Sequence, residues 1–368
     1  MEKSRGIYEG EFSIDPFYLF FLVNTMQVGV GILRAPRILA EDVGNEGWIS
    51  IIICAILIQL MIVLIFYVLR KYEDMDLLQV KSMLFGKIMS ILISLLIGMY
   101  YFLLGVFLLR DFIGVLQDFI FPVTPLPYLF LLFLCPCYLL LRGGISLLVR
   151  FSVIVFFSTI WLTVFLVYSY AHFQWEFMLP LFHHSISEHV QAIKHMALDY
   201  FGFEIAFFFY PLITRRKQVL LYTSLGHWFT TFIYLAIVIG ATGLYGSEML
   251  KYQSYPTMDM FRLVQLPFIE RVEIIGVSTW GLLVLQSAAG FILIGGKGIQ
   301  HIWKNSFLCR PHVLTLLAFI ALVLIPGRFL DIDQGLSYIG TSWLYLTTAV
   351  TLILVILSFI KRRKGAKA

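Results

Sequence analysis

Charge is scarce in this chain. Asp, Glu, Lys and Arg together make up 13% of its 368 residues, where a soluble domain carries roughly a quarter. Too few charged side chains remain to clothe a separate soluble domain. Cysteine is equally rare. Cys54, Cys135 and Cys137 lie in apolar runs, where thiols behave as small hydrophobes, and Cys309 lies in a basic loop. No partner cluster with zinc-ligand spacing surrounds them, which excludes a metal centre or a disulfide framework. The first twelve residues, MEKSRGIYEGEF, are polar, and the apolar run after them has no A-x-A-like site, so no cleavable signal peptide is expected. No hydrolytic or redox constellation and no cofactor motif occurs, so the chain is not expected to be an enzyme. The net charge of +5 does not point to nucleic acid, because the basic residues sit in short loops and at the C-terminus.

What the chain has in abundance is apolar length. It is 60% hydrophobic, with a mean hydropathy of +0.88. Runs long enough to cross a hydrocarbon core of roughly 30 Å recur throughout. The expected fold is an all-α polytopic membrane protein, with residues 1–368 as one integral membrane domain. Ten helices are predicted near 15–40, 47–69, 88–110, 126–142, 146–170, 189–213, 217–244, 270–300, 312–326 and 336–360. Ten spans put both termini on one side. That side, which includes Lys3, Arg5, Lys304 and the tail 361–368, collects 19 of the 27 lysines and arginines; Arg34, Arg37, Arg110 and Arg328 are among those opposite. By the positive-inside rule both termini are cytoplasmic.

The first span reads FYLFFLVNTMQVGVGILRAP and brings Thr25, Gln27, Gly29 and Gly31 into its second half. Glycine is a poor helix former inside an element. In a bilayer, backbone freed from the helical ladder must line protein or a water-filled cavity. Gly29 and Gly31 therefore fit either a break that builds a mid-membrane binding site or close packing against another helix. Arg34 and Arg37 follow, with side chains long enough to snorkel to the outer interface.

The sixth span, KHMALDYFGFEIAFFFYPLITRRK, places Asp199 and Glu204 around Gly202. An aspartate inside an apolar span costs about 2.5–3.5 kcal/mol on insertion scales, so a carboxylate there marks a candidate site. Glu204 fits a protonated acid, an ion partner for a basic group, or a bond to backbone freed at Gly202. Breaks in the first and sixth of ten helices match a 5+5 inverted repeat, with halves near 15–170 and 189–360. Half-helix N-termini suit a carboxylate and opposing carbonyls suit an ammonium, which favours a small zwitterion such as an amino acid. The loop near 245–269 fits an outer lid or an interfacial connector. His172, His183, His184, His189 and His195 cluster before or within the sixth span without metal-binding spacing; they fit a solvated outer surface or a pH-sensitive one. Glu270 and Glu273 fit the first turn of the eighth helix, where acid suits the dipole.

The strings QVGVGILRAPRILAE, GNEGWIS, DYFGFEIAFFFYPLI and PFIERVEIIGVSTW resemble the B subunits of bacterial spore germinant receptors, a branch of the amino acid–polyamine–organocation transporter superfamily. The likeness covers essentially the whole chain. It implies a LeuT-like fold and a protein of the spore inner membrane that senses a small nutrient such as an amino acid, working with an A subunit and a lipoprotein C subunit. It also implies a ligand held between the broken first and sixth helices, with the third and eighth closing the sides. Carried onto this chain, the candidate ligand-binding residues are Thr25, Gln27, Gly29 and Gly31 of the first helix and Asp199, Tyr200, Gly202 and Glu204 of the sixth. The third adds Tyr100 and Leu104, which share a face one turn apart, and the eighth adds Trp280 and Ser287. Some proton-coupled relatives carry a lysine in the fifth helix. This chain has none there, only Ser152, Ser158, Thr159 and Thr163. Ser287 and first-helix carbonyls leave a sodium site open.

Overall fold

Apolar sequence without water forces the backbone into helices, because every amide must find its partner inside the segment. The computed structural model describes residues 13–72, 75–165, 170–264, 271–303, 306–324 and 329–365, with side chains of 329–334, 337 and 361–365 left aside. Lys3, Arg5, Glu270, Lys304, Arg328 and residues 366–368 lie outside the described residues. Helix α1 (Tyr18–Gln27) stops short and α2 (Ala35–Val43) resumes. Then come α3 (Gly47–Leu69), α4 (Leu77–Phe85), α5 (Lys87–Phe119) and α6 (Leu126–Thr159). The second half holds α7 (Ile186–Ala197), the one-turn α8 (Ile205–Phe208), α9 (Val219–Tyr245), α10 (Pro256–Arg262), α11 (Val272–Ile302), α12 (Pro311–Leu324) and α13 (Phe329–Gly365).

Six helical segments among the described residues are long and apolar enough to cross a membrane. The fourth and fifth predicted spans run together as α6, divided by a kink at Gly144, whose φ of 60° only glycine adopts readily. Large apolar side chains stay exposed on outward faces, among them Met99, Leu131, Ile154 and Leu316, as lipid contact requires. This is an integral membrane protein. Helix α11 forms its axis: 83% of its most apolar stretch is buried, against 22% for residues 338–360 of α13 at the periphery.

Glycine sets the spacing between α5 and α11. A methyl on Gly105 would lie 2.7 Å from the Ala288 carbonyl oxygen, and one on Gly298 would lie 2.7 Å from Gly98 Cα. Backbones this close gain dispersion contacts that lipid cannot offer.

Polar side chains join the ends of the broken segments to their neighbours. At one end Ile14 N–H donates to the Leu212 carbonyl, Thr214 N–H donates to the Ile14 carbonyl, and Arg215 pairs with Asp15. At the other, His195 meets Asp42 at 2.7 Å, and His189 bridges Glu46 (3.1 Å) and Ser50 (2.8 Å). These two histidines thus tie α7 to α2 and α3 instead of forming a solvated surface. Glu273 does sit in the first turn of α11, paired with Arg271 at 2.9 Å.

Arg34 departs from its snorkelling expectation. Its guanidinium is buried and bonds Asp111 of α5 at 2.6 Å. The break turns the chain so that Arg34 points inward, and α5 carries a carboxylate at the matching level. Breaking one partner of a buried pair strands the other and costs about 3–5 kcal/mol. Arg34→Met and Asp111→Asn should each lower the melting temperature of the protein in lipid nanodiscs. The double variant Arg34→Met/Asp111→Leu should recover part of the loss, since no charge is then left alone. Unchanged melting of both single variants would show that the pair contributes nothing.

Candidate ligand site between the broken helices

The first break begins where α1 loses its ladder after Gln27. Val28 N–H still reaches the Asn24 carbonyl, Gly29 N–H turns back to the Gln27 carbonyl, and a 3-10 turn over Gly31–Leu33 leads into α2. Pro36 sits in the first turn of α2, where its missing N–H has no intrahelical role. The second break runs through a 3-10 turn at Leu198–Tyr200, an extended Phe201 and Gly202 at φ +117°. There the Glu204 carboxyl oxygen Oε2 accepts from Gly202 N–H at 2.7 Å. One of the expected roles of Glu204, bonding backbone freed by the break, is thus the observed one.

Side chains from elsewhere satisfy the carbonyls that the breaks release. Ser287 Oγ donates to the Thr25 carbonyl at 2.9 Å, and Trp280 Nε1 donates to the Gly29 carbonyl at 3.0 Å. Gln27 Nε2 crosses to the Tyr200 carbonyl at 2.5 Å. Thr257 of α10 donates to the Ile32 carbonyl at 2.8 Å, so the loop expected as a lid or connector hooks directly onto the break. Thr25 Oγ1 bonds back to the Phe21 carbonyl within its own helix.

Thr25, Gln27, Gly29, Gly31, Asp199, Tyr200, Gly202, Trp280 and Ser287 are thereby brought to one region. The two breaks touch. A methyl on Gly31 would overlap the Asp199 carboxylate, and one on Gly202 would lie 2.8 Å from Met26 Cβ and 3.1 Å from Met26 backbone. Gly29 differs, because nothing lies within 4 Å of a methyl placed there. Next to this region, Asn24, Val28, Thr159, Phe261, Trp280 and Leu283 help line a cavity of about 30 Å³. The buried Tyr200 hydroxyl has Thr231 within reach, and among the described residues Gln27 Oε1 is buried without a hydrogen-bond partner. A buried orphan of this kind costs roughly 1–3 kcal/mol and calls for a partner.

The remaining candidates lie elsewhere. Tyr100 stacks on Trp343 of α13 with ring centroids 3.9 Å apart, and Leu104 is buried in the α5 packing. Glu204 also lines a cavity shared with α4 and α13, and its other oxygen is buried. Sequence reasoning missed His227 of α9. It is fully buried, its Nε2 donates to the Ala55 carbonyl (3.0 Å), its Nδ1 accepts from Gln27 Nε2 (3.3 Å), and its ring packs against that of Tyr200. Its position inside an apolar span was the available signal. Asn24, which donates to Thr230 at 2.9 Å, was missed as well.

The glycines should therefore respond unequally. Gly29→Ala should change stability by less than about 0.5 kcal/mol. Gly202→Ala should cost about 1–3 kcal/mol through backbone strain and overlap with Met26. Thermal melting of the two variants checks this, and equal sensitivity would overturn the geometry.

The sequence pattern of the family described as "Spore germination protein" matches residues 13–329. The chain is 31% identical to spore germination protein GerQB of Bacillus cereus over 294 residues, 79% of this chain and 81% of that one. It is 23% identical to spore germination protein B2 and 24% identical to spore germination protein A2 of Bacillus subtilis (strain 168). Each match covers 94% of this chain and 95% of the relative. In fold it is similar to Mhp1, a nucleobase-cation-symport-1 family transporter solved in a closed conformation with bromovinylhydantoin bound. The TM-score is 0.65 at 14% identity, over 95% of this chain and 80% of that one. At that identity the likeness is one of fold, and the fold is that of a membrane transporter. The chain belongs to the spore germination protein family.

Proposed function

We propose that this protein is the nutrient-sensing B subunit of a spore germinant receptor, which binds a small zwitterion such as an amino acid between its two broken helices and passes the resulting change to A and C partner subunits. It would sit in the spore inner membrane with both termini cytoplasmic, as ten spans and the basic loops imply. The observation that carries the proposal is the contact between the breaks. Gly31 leaves room for the Asp199 carboxylate, and among the described residues Gln27 Oε1 stands buried without a partner, with the Tyr200 hydroxyl also buried in this region. A ligand ammonium fits these acceptors, and a ligand carboxylate fits the N-terminal end of α2. Thr257 on α10 gives such a ligand a route to signal, since it bonds the same broken segment. The two halves, near 15–170 and 189–360, are read as an inverted repeat because each begins with a discontinuous helix.

A secondary transporter working by alternating access is the competing function, and the likeness to the solved symporter favours it. Uptake of labelled amino acid by proteoliposomes separates the two: saturable, gradient-driven uptake by the chain alone would sink the receptor-only function. In spores, Asp199→Asn at normal protein level should move the nutrient dose curve to about tenfold to a hundredfold higher concentration, the loss of one charge-assisted hydrogen bond. An unchanged dose curve would remove Asp199 from the site. Loss of response at every dose would assign it to signal transmission.

A further inference from the structure

The cavity into which Glu204 opens is a second polar site, separate from the meeting point of the breaks. It measures about 20 Å³ and lies between α3, α4, α5, α8 and α13. Such a volume holds about one water, provided two to four polar groups face it. Here there are six: Lys81, Tyr101, Glu204, Trp343, Thr347 and Thr351. Glu204 Oε1, the Tyr101 hydroxyl, Trp343 Nε1 and Thr347 Oγ1 are all buried, and the Tyr101 hydroxyl and the Trp343 indole N–H are within reach of the Glu204 carboxyl as donors.

Lys81 is 6% exposed and lies within the fields of Glu204 and Asp76. Asp76, the acid nearest in sequence, is committed elsewhere. It caps α4 by accepting from Gln79 N–H and pairs with Lys297 at 3.3 Å. Lys297 in turn donates to the Phe208 carbonyl at 2.6 Å. A lysine and a glutamate, each nearly removed from solvent, thus face one small chamber. Neither can hold its charge there unaided, and a mobile proton relieves both.

We propose that Glu204 and Lys81 form a proton-binding site, bridged across the cavity and hydrogen-bonded by Tyr101, Trp343 and Thr347. In the resting form the two groups hold one proton between them, as carboxylate with ammonium or as carboxylic acid with amine. Uptake of one proton from solution gives carboxylic acid with ammonium, and the site gains one positive charge. Burial pushes the Lys81 ammonium down to about 7, opposed by the fields of Glu204 and Asp76, so it exchanges near neutrality. The facing groups are few. Asp76 and Lys81 come from α4, Tyr100 and Tyr101 from α5, and Lys297 and His301 from α11, with His301 held by Ser82 at 2.6 Å. The described lining residues of α3 and α13 carry no charge.

The site connects to the second break through one carboxyl group. Glu204 Oε2 holds Gly202 N–H, and an ionised oxygen accepts more strongly than a neutral one. Proton uptake therefore loosens the bond that closes the break. This supplies a proton response without a lysine in the fifth span.

pH-dependent infrared difference spectroscopy of the full chain in lipid nanodiscs tests the proposal, and it needs no nutrient. A protonated-carboxyl band should grow as pH falls and vanish in Glu204→Gln. In Lys81→Met the midpoint should rise by about one pH unit, about tenfold in proton affinity, because the neighbouring cation is gone. A titrating band that survives Glu204→Gln overturns the site. A midpoint unmoved in Lys81→Met overturns the pairing. Should Glu204→Gln not fold, Tyr101→Phe and Thr347→Val each delete one hydroxyl of the shell and should shift the band frequency; indifference to both overturns the assignment.

Discussion

The structure depends on one obligation: backbone polar groups released inside an apolar span must be satisfied by protein. The first break frees carbonyls at Thr25 and Gly29, and α11 answers with Ser287 and Trp280. The carbonyl of Tyr200 at the second break is met by Gln27, a side chain of the first. Helix α10 is hooked to Ile32 by Thr257. Each bond is ordinary in strength, but leaving any one unmade in the membrane interior would cost several kcal/mol. The breaks are therefore held by a ring of helices, and a ligand that competes for one of these bonds would be felt across several elements at once.

Charge follows the same logic. Arg34 lies against Asp111 and Lys297 against Asp76, so that these buried cations face carboxylates. Glu204 and Lys81 differ in sharing a cavity instead of a contact. The contacts of His189 and His195 with Glu46 and Asp42 add a third arrangement, in which α7 is fastened to α2 and α3 near the end of the first broken segment.

Much of this was legible in the chain itself. The long apolar runs mark the helices, the G-x-G run marks the first break, and the FGFE string marks the second. The resemblance to germinant receptor B subunits follows from those same strings and agrees with the family match over residues 13–329. Tyr100 was less legible. Its place on the third helix is predicted, but its ring leaves the breaks and stacks on Trp343, which lies 243 positions away in sequence. His227 stands alone within an apolar span, a stronger signal than the cluster at 172–195, but its partners Ala55 and Gln27 lie far away in sequence.

Local chemistry determined what the sequence could settle alone. Apolar length dictates membrane helices, glycine beside glycine weakens one, and a carboxylate in an apolar span requires company. Which company is a question of long-range approach. That Arg34 turns inward to Asp111, that Gly31 makes room for Asp199, and that Glu204 both holds Gly202 and lines the cavity of Lys81 depend on helices distant in sequence meeting at ångström separations. Side-chain pairing falls off within a few ångströms, and no periodicity along one chain encodes it. Only the tertiary structure decided it.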